Sequence, residues 1–473
     1  MGSIIRATVI LGSSSVISLI ASFLSNKAYA VWIGPDGLGL LGLFQSFLGI
    51  TAIGAGMGLS SGLVRLGAPH AKEEASNSQL IALQQAAWQI YRITLLLCTT
   101  IILAFSHPIA EHLLANSPVW GVGVLAFGLA LSLAAGIQIG LLNAYHRVGL
   151  LAQVTALSSI FGAVWGITLV WFWRENALPW VVLGMPLGQF VLSRIFLGRL
   201  RMPLIKANSR DIRAARIELL RFGLPFVGSQ IVGSAVQLGM PFLVLHQLGQ
   251  IEVGYYRAAI LFSTAYIGFL LNALGQDFYP RLSALQNKPQ AFCAALDLQQ
   301  RFVLLLGSPL VVFSLAVAPL AVSVLFSSEF RPTADILQWH LLGDLFRFVS
   351  WTLGYAVLAG LPNRAYLVTE TLGGVCLLIF SLWGMDRFGT SGLGVGWLLT
   401  YFCYLIITGI VVAFGLRWRP SLTNVFLLLC AIGVAAATIA LPEVGKIMLT
   451  LLWGLVCISL LLRYFGKASL SRS

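Results

Sequence analysis

The stretch SFLSNKAYAVWIGPDGLG, residues 22–39, holds the end of one long apolar run and the beginning of the next. Residues 7–33 are apolar enough and long enough to form a helix across the roughly 30 Å hydrocarbon core of a bilayer. A Gly-Pro pair then interrupts the pattern, and a second apolar run follows at 38–63. The stretch therefore predicts two membrane helices joined by a turn. It also contains Lys27, which lies six residues before the predicted end of the first helix, roughly 9 Å deep at 1.5 Å per residue.

The composition extends this prediction to the whole chain. Of 473 residues, 58% are apolar and 10% are charged, whereas soluble domains carry about 25% charged residues. The apolar runs are continuous rather than alternating, which favours helices over the strands of a membrane barrel. We therefore predict an all-α polytopic membrane protein with about fourteen transmembrane helices. The predicted spans are 7–33, 38–63, 84–105, 119–142, 148–173, 177–197, 219–246, 255–276, 301–326, 334–361, 364–385, 391–416, 421–441 and 445–464.

The distribution of basic residues between the predicted loops indicates the orientation. If the N-terminus lies inside, the inner segments contain twenty Lys and Arg and the outer segments contain four. Basic residues are retained on the cytoplasmic side, so both termini are predicted to be cytoplasmic. The same asymmetry explains the net charge of +13 by contact with anionic lipid, which argues against a nucleic-acid partner.

The longest polar connection, GRLRMPLIKANSRDIRAARIELLRF at residues 198–222, separates the first six predicted helices from the rest. Its apolar residues recur about every seven positions, which predicts an amphipathic helix on the inner surface. We predict an N-terminal six-helix lobe at 1–200 and a basic cytoplasmic linker at 201–218. A C-terminal six-helix lobe is predicted at 219–416, and two additional transmembrane helices with a cytoplasmic tail at 417–473.

The two predicted lobes share a weak internal repeat. The segment IGPDGLGLLGLFQSF at 33–47 resembles LGQIEVGYYRAAILF at 248–262, and two glycines in the first match two in the second at an offset of 215 residues. One matched pair is Gly39 and Gly254. Because both lobes begin on the same side, the repeat predicts a pseudo-two-fold axis along the membrane normal, as in transporters with a central cavity between repeats.

Five basic residues lie inside or at the edges of predicted membrane helices. They are Lys27, Arg92, Arg194, Arg257 and Arg347. A charge at the centre of a membrane helix costs roughly 2.5–3.5 kcal/mol, so such residues usually face a wet interior or a partner. Arg194 is interpreted as an inner-surface charge. For Lys27, Arg92 and Arg257 two interpretations stay open, an anchor that reaches the nearer membrane surface or a ligand that faces a cavity.

The predicted tenth span, DILQWHLLGDLFRFVSWTLGYAVLAG from residue 335, contains an acid and a base near its middle. Asp344 and Arg347 are three residues apart, so they share a helix face. They form either an internal ion pair or one charged wall of a water-filled cavity, to which Glu370 of the next span is predicted to contribute. Cations outnumber acids within the spans, which favours a substrate with negative charge, such as a phosphate or pyrophosphate.

The first span carries a stripe of small or hydroxyl side chains at helical spacing. Its members are Ser15, Ser18, Ser22, Ser25 and Tyr29. Such a stripe predicts close packing against another helix. Lys27 lies roughly opposite the stripe, so this helix is predicted to have two faces that avoid lipid.

Two stretches of the sequence resemble a known family. Lys27 followed by GPDGLG at 34–39 resembles the start of the O-antigen and enterobacterial-common-antigen lipid flippases. QWHLLGDLFRFVSWTLGYAVLAG at 338–360, with Glu370 after it, resembles the W-Q-x-x-G-D-x-x-[KR] stretch of the same proteins. These motifs cover about a tenth of the chain, and the helix pattern extends the likeness to residues 1–416.

The resemblance implies the MATE-like fold of the multidrug/oligosaccharidyl-lipid/polysaccharide exporter superfamily. It implies a flippase rather than an enzyme, with alternating access that moves a polyprenyl-pyrophosphate-linked oligosaccharide across the bacterial inner membrane. The cargo would be an O-antigen, common-antigen or exopolysaccharide repeat unit. Among the family positions, Lys27 and Arg347 are expected to bind the substrate, and Asp344 and Glu370 are the candidates for ion coupling. Arg92 and Arg257 are added as substrate ligands on account of their predicted burial alone.

The resemblance also implies partners and leaves alternatives. Membrane lipids, a polysaccharide polymerase and a chain-length regulator are the expected partners, and no cofactor is expected. Many relatives end after twelve helices, so the last two helices here either hold a lipid-tail groove or are peripheral. The alternative function is a MATE-like drug or cation antiporter, which would need an acidic, aromatic cavity. A membrane glycosyltransferase or polymerase is a third possibility, but it would need catalytic carboxylates or a large outer loop, and the sequence offers neither.

Overall fold

The computed structural model describes residues 2–68, 78–199, 207–263 and 267–470. All regular secondary structure in these ranges is helical, and no β-strand occurs in them. Nine segments of the described chain are long and apolar enough to cross a membrane. These observations confirm the predicted class, an all-α polytopic membrane protein.

The contacts within the chain divide it into two compact units, Met1–Gly254 and Tyr255–Ser473. The helices of the first unit are α1 Gly2–Gly56, α2 Leu59–Gly67, α3 Ser78–Ala104, α4 Ser106–Pro108, α5 Val119–Ala144, α6 Val148–Trp173, α7 Leu178–Val181, α8 Gly184–Arg199 and α9 Ser209–Gln247. From the end of this unit onward the helices are α10 Gln250–Ser263, α11 Phe269–Ser283, α12 Pro289–Leu325, α13 Pro332–Gly360, α14 Asn363–Phe388, α15 Gly392–Leu416, α16 Leu422–Ala440 and α17 Glu443–Leu470. The two units are defined by contacts within the chain, whereas the predicted lobes are defined by a sequence repeat. The boundaries of the lobes therefore stay predictions.

Each of the fourteen predicted spans overlaps a helix of the described chain. The two longest membrane-crossing segments, Ser13–Gly56 and Arg364–Leu416, each overlap two predicted spans. The predicted spans at 219–246 and 255–276 lie outside the nine segments but coincide with α9 and the α10–α11 region. The predicted span at 177–197 overlaps the nine segments only at residues 177–181 and otherwise coincides with α8.

Helix α1 continues through the Gly-Pro pair with a kink instead of a separate turn. Gly34 has φ 64° and ψ −169°, a conformation that residues with a Cβ avoid. Pro35 follows it and lacks the N–H that a regular helix would use. The predicted turn is therefore a kink between two helical stretches.

A second irregularity interrupts the predicted span 38–63. Met57 and Gly58 have φ values of 47° and 62°, so helical geometry stops between α1 and α2. Gly223 of α9 packs against this break, and a Cβ added there would overlap the carbonyl oxygen of Met57. The break is thus a place where two helices approach backbone to backbone.

The stripe of small and hydroxyl side chains on α1 packs against α6. Ser159 of α6 donates its hydroxyl to Ser18 Oγ at 2.9 Å. Tyr29 is buried, and a Cβ added at Gly166 of α6 would overlap the Tyr29 hydroxyl. The predicted packing is confirmed from Ser18 to Tyr29, while Ser15 is exposed.

The predicted basic linker lies partly outside the described residues, at 201–206. The remainder of the linker forms the first turns of α9, where the Asn208 side chain accepts a hydrogen bond from the N–H of Arg210 at 3.3 Å. Ala215 and Leu219 are buried in a cluster with residues of α2, α3, α5 and α8. The apolar face of this amphipathic segment therefore belongs to the core of the first unit.

Polar contacts attach the two C-terminal helices to the second unit. Asn424 of α16 donates from Nδ2 to the backbone oxygen of Asp297 at 2.9 Å, and Trp418 donates its indole N–H to Asp297 Oδ1 at 2.9 Å. Trp453 of α17 donates to the Ser308 hydroxyl of α12 at 3.1 Å. Loss of α16 and α17 would remove the contacts of Asn424 and Trp453, so both helices are integral to the unit.

Helices α13, α15 and α16 border an apolar groove of about 390 Å³. Leu353, Ile410 and Leu428 are among its lining residues. The groove is compatible with the lipid-tail interpretation of the last helices, which stays a prediction.

Helix α1, beyond its kink, and the start of α10 meet in a reciprocal contact. A Cβ added at Gly39 would overlap the carbonyl oxygen of Gln250, and one added at Gly254 would overlap the carbonyl oxygen of Pro35. Pro35 and Gln250 are separated by 215 residues, as are Gly39 and Gly254. Identical surfaces exchange contacts in this way across a two-fold axis. The contact, whose residues all belong to the first unit, supports the predicted repeat.

We expect Gly254→Ala to destabilise the protein, because the added methyl group meets backbone atoms that no rotamer change can move. Overpacking of this kind costs about 1–3 kcal/mol. The apparent Tm of the purified protein should fall. The matched control is Gly123→Ala on α5, where nothing lies within 4 Å of the added Cβ. Equal Tm values for the two variants would contradict the close backbone contact.

Candidate functional site

The acid and the base of α13 form an ion pair. Arg347 Nη1 lies 3.4 Å from Asp344 Oδ1. Asp344 is fully buried, whereas 22% of the Arg347 side chain remains exposed. The sequence left open an internal pair or a charged cavity wall, and the structure combines them: Asp344 is internal and Arg347 lines a cavity.

Side chains from three helices hold Asp344. Ser263 of α10 donates its hydroxyl to Oδ2 at 3.0 Å, and Trp397 of α15 donates its indole N–H to Oδ1 at 3.2 Å. A buried carboxylate is tolerated only when it is paired and hydrogen-bonded in this way. A change in the charge of Asp344 would therefore act on α10, α13 and α15 together.

Aromatic rings fix the guanidinium of Arg347. Its central carbon lies 5.5 Å from the ring centroid of Trp397 and 5.6 Å from that of Tyr401. His340, one turn before Asp344, stacks on Trp397 with the ring centroids 4.1 Å apart. Cation–π contacts and the ion pair together give Arg347 a defined orientation.

Arg347 faces a cavity of about 340 Å³ between α13, α14 and α15. Glu370 of α14 lines the same cavity and accepts a hydrogen bond of 2.5 Å from the hydroxyl of Tyr404. Most of the remaining lining is aromatic and comes from Trp351, Tyr355, Tyr366, Tyr401 and Tyr404. The structure thus brings together three predicted residues, Asp344, Arg347 and Glu370.

Lys27 and Arg92 belong to the first unit. Lys27 is half-buried on α1. Arg92 is exposed on α3, and Leu96, one turn further along the same face, is exposed as well. An exposed leucine is typical of a lipid-facing surface, which fits the anchor interpretation of Arg92. Both residues stay predictions as substrate ligands.

Arg257 lies on α10 in the second unit and is half-buried, with its Nε inaccessible to solvent. The neighbouring Tyr256 is buried. The carbonyl oxygen of Tyr255 accepts a hydrogen bond of 3.5 Å from Thr333, at the start of α13. This packed position suits a residue that faces the protein interior, and the role of Arg257 in binding stays a prediction.

Sequence reasoning missed the aromatic residues of α15. Trp397, Tyr401 and Tyr404 recur at spacings of four and three, which places them on one helix face. The pattern W-x3-Y-x2-Y was the signal that could have identified them. Ser263 offered no such signal, because single serines are common in membrane helices.

The arrangement offers three kinds of interaction within one cavity. The guanidinium of Arg347 suits an anion, and the carboxylate of Glu370 suits hydroxyl groups or a cation. The ring faces suit apolar or cationic surfaces.

Helices that cross the membrane and enclose this cavity define a multi-pass α-helical membrane protein, and its fold is found in solved transporter structures. The lipid II flippase MurJ, in an inward closed conformation, superposes with a TM-score of 0.75 at 13% identity, over 96% of this chain and 99% of that one. An inward-facing multidrug resistance MATE family transporter gives a TM-score of 0.62 at 17% identity, over 83% of this chain and 94% of that one. The chain belongs to the polysaccharide biosynthesis protein family, whose sequence profile matches residues 30–335, more than half of its length.

Curated relatives are similar over most of their length. The lipid III flippase of Escherichia coli K12 is 22% identical over 408 residues, which cover 85% of this chain and 96% of the relative. The lipid III flippase of Shigella flexneri matches with the same identity and coverage.

Proposed function

We propose that this protein is a flippase that moves a polyprenyl-pyrophosphate-linked oligosaccharide from the inner to the outer leaflet of the bacterial cytoplasmic membrane by alternating access. The cargo would be an O-antigen, common-antigen or exopolysaccharide repeat unit. The observation that carries the proposal is Arg347, a guanidinium held by two aromatic rings at the wall of a cavity among membrane helices. Family membership and the names of the relatives, flippases of lipid III and lipid II, support it.

A pyrophosphate cannot leave water for a membrane interior unless cations replace its hydration. Arg347 is suited to this task because its planar guanidinium binds phosphate oxygens in pairs. Asp344 neutralises Arg347, with Oδ1 3.4 Å from Nη1. An incoming pyrophosphate competes with Asp344 for the guanidinium of Arg347. The ion pair between Asp344 and Arg347 forms again when the cargo leaves. We propose Lys27, Arg92 and Arg257 as further ligands of the head group.

Ion coupling is proposed for the carboxylates of this region. Asp344 is the stronger candidate, because its partners come from three helices and its charge state acts on all of them. Glu370 is the second candidate and lines the cavity directly. In vesicles, an imposed proton or sodium gradient should no longer drive export when the coupling carboxylate is replaced by its amide.

The second candidate function is a MATE-like drug or cation antiporter. Glu370 and five aromatic rings in one cavity favour it, since a carboxylate and ring faces bind organic cations. Arg347 lines the same cavity and would repel a cationic drug, which is evidence against this alternative. Resistance to cationic drugs that rises with expression and depends on an ion gradient would favour this alternative over the flippase.

We further propose that both termini lie in the cytoplasm and that a polysaccharide polymerase and a chain-length regulator are protein partners. The excess of Lys and Arg in the predicted inner segments supports the orientation. Fusion of reporter enzymes to the C-terminus tests it: a reporter active only in the cytoplasm should be active there.

Deletion of the gene tests the proposed function directly. Surface polysaccharide should be lost, and its lipid-linked unit should accumulate on the inner leaflet. Loss of the polysaccharide without accumulation of the lipid-linked unit would indicate a biosynthetic enzyme instead.

We expect Lys27→Glu to abolish glycan export while membrane insertion continues, because a carboxylate at this position repels the pyrophosphate. Export is measured as surface polysaccharide in the deletion strain that carries the variant. The matched control is Lys288→Glu, which reverses an exposed charge before α12. Normal export by Lys27→Glu would remove Lys27 from the proposed binding site.

A further inference from the structure

The cavity of the second unit has two chemically different ends. Three aromatic residues of α15, at positions 397, 401 and 404, lie on one helix face between these two ends. At one end the Arg347 guanidinium packs against Trp397 and Tyr401. At the other end the Tyr404 hydroxyl donates to Glu370 Oε1 at 2.5 Å. The rings of Tyr401 and Tyr404 meet edge to face, with centroids 6.2 Å apart, and so separate the base from the acid.

A pyrophosphate is expected only at the Arg347 end. Asp344 already offsets the charge of Arg347, so the cavity as a whole has no surplus positive charge to hold a second anion. Glu370 would repel a phosphate placed beside it. The part of the cavity near Glu370 therefore suits a different portion of the ligand.

The Glu370 end has the groups that recognise a sugar. A carboxylate accepts hydrogen bonds at about four positions, and Tyr404 occupies one of them. Tyr366 and Trp351 line the same cavity, and their side chains carry a hydroxyl and an indole N–H. Their rings, with that of Tyr355, offer flat apolar faces of the kind that pack against the C–H face of a sugar ring.

We propose that Glu370, with the aromatic side chains around it, forms a sugar subsite that reads the hydroxyl groups of the glycan, separate from the pyrophosphate subsite at Arg347. This inference rests on the proposed function, because it takes a lipid-linked glycan as the ligand. It assigns selectivity for the glycan to α14 and α15. A cavity of about 340 Å³ is within the usual range of small-molecule sites, about 300–1,000 Å³.

The test compares two lipids on each variant of the purified, nanodisc-embedded full-length protein. One lipid is bare polyprenyl pyrophosphate, and the other is the lipid-linked glycan that accumulates in the deletion strain. The ratio of the two Kd values is the readout, because partial misfolding of the sample would weaken the apparent binding of both lipids alike. Wild type should prefer the glycosylated lipid.

Glu370→Gln should reduce this preference about ten- to a hundredfold, the effect expected for hydrogen bonds to a charged acceptor, and leave the bare lipid unaffected. Glu370→Asp should restore part of the preference. Arg347→Gln should weaken the binding of both lipids. The matched control is Asp386→Asn on the same helix, an exposed carboxylate that should leave the ratio unchanged.

Three outcomes would overturn the sugar subsite. An unchanged ratio in Glu370→Gln, with both lipids still bound, would remove the subsite and leave the pyrophosphate site standing. If tetraphenylphosphonium displaces the glycosylated lipid from wild type but not from Glu370→Gln, Glu370 binds an organic cation instead of a sugar. Failure of the wild type to bind either lipid would overturn the proposed function together with the subsite.

Discussion

Arg347→Gln should abolish export of the lipid-linked glycan and also lower the stability of the protein. Within the described residues, Arg347 is the only cation shown to line the cavity of the second unit. Export is lost because the variant lacks this cation. Stability falls because Asp344 is left as a buried, uncompensated carboxylate, and breaking a buried pair from one side costs about 3–5 kcal/mol. Surface polysaccharide reports the first effect, and the apparent Tm of the purified protein reports the second.

The double variant Asp344→Asn/Arg347→Gln separates these two effects. It removes both charges, with an amide of the same shape at position 344 and a shorter amide at position 347, so we expect the Tm to recover toward the wild-type value. Export should remain absent, since no guanidinium is present to hold the pyrophosphate. Recovery of export along with stability would mean that Arg347 acts only as a counter-ion for Asp344.

Asp344→Asn alone should have opposite effects on binding and on transport. The amide retains the shape of the carboxylate between Ser263 and Trp397, but it no longer neutralises Arg347. An unneutralised guanidinium in a site of low dielectric binds a pyrophosphate more tightly, and we expect the Kd for polyprenyl pyrophosphate to fall about tenfold or more. Export should nevertheless be lost, because no carboxylate remains to reclaim Arg347 and release the cargo.

Binding and export of this variant are measured on the same preparation, in nanodiscs and in reconstituted vesicles. Asp344→Glu serves as the comparison, because it retains the charge and should retain part of the export. A variant Asp344→Asn that binds polyprenyl pyrophosphate no more tightly than wild type would contradict the competition between the carboxylate and the cargo.

The fold class was predictable because it depends on composition and on the length of the apolar runs. Every predicted span overlaps a helix, and the stripe on α1 identified a packing face before its partner, α6, was known. The break at Met57 and Gly58 was not predicted. It depends on the approach of Gly223 from a distant part of the sequence, and an apolar run gives no information about such contacts.

The candidate site was predictable only where its residues are close in sequence. Asp344 and Arg347 were expected on one face from their spacing, and they form an ion pair. Ser263 and Trp397, which hold Asp344, lie 81 and 53 residues away from it and join it only through tertiary packing. Whether Lys27, Arg92 and Arg257 act on the same substrate stays a prediction, because the position of a single cation does not identify what it binds.

The exchanged contact between Gly39 and Gly254 bears on the ancestry of the chain. Two copies of a half-length ancestor would make this contact as a homodimer, with the glycine of each copy against the carbonyl oxygen of the other. Gene duplication and fusion would place both copies in one polypeptide and preserve the geometry. At these two glycines, a side chain added to either segment would collide with backbone atoms of the other, so each position is restricted by the segment that it faces.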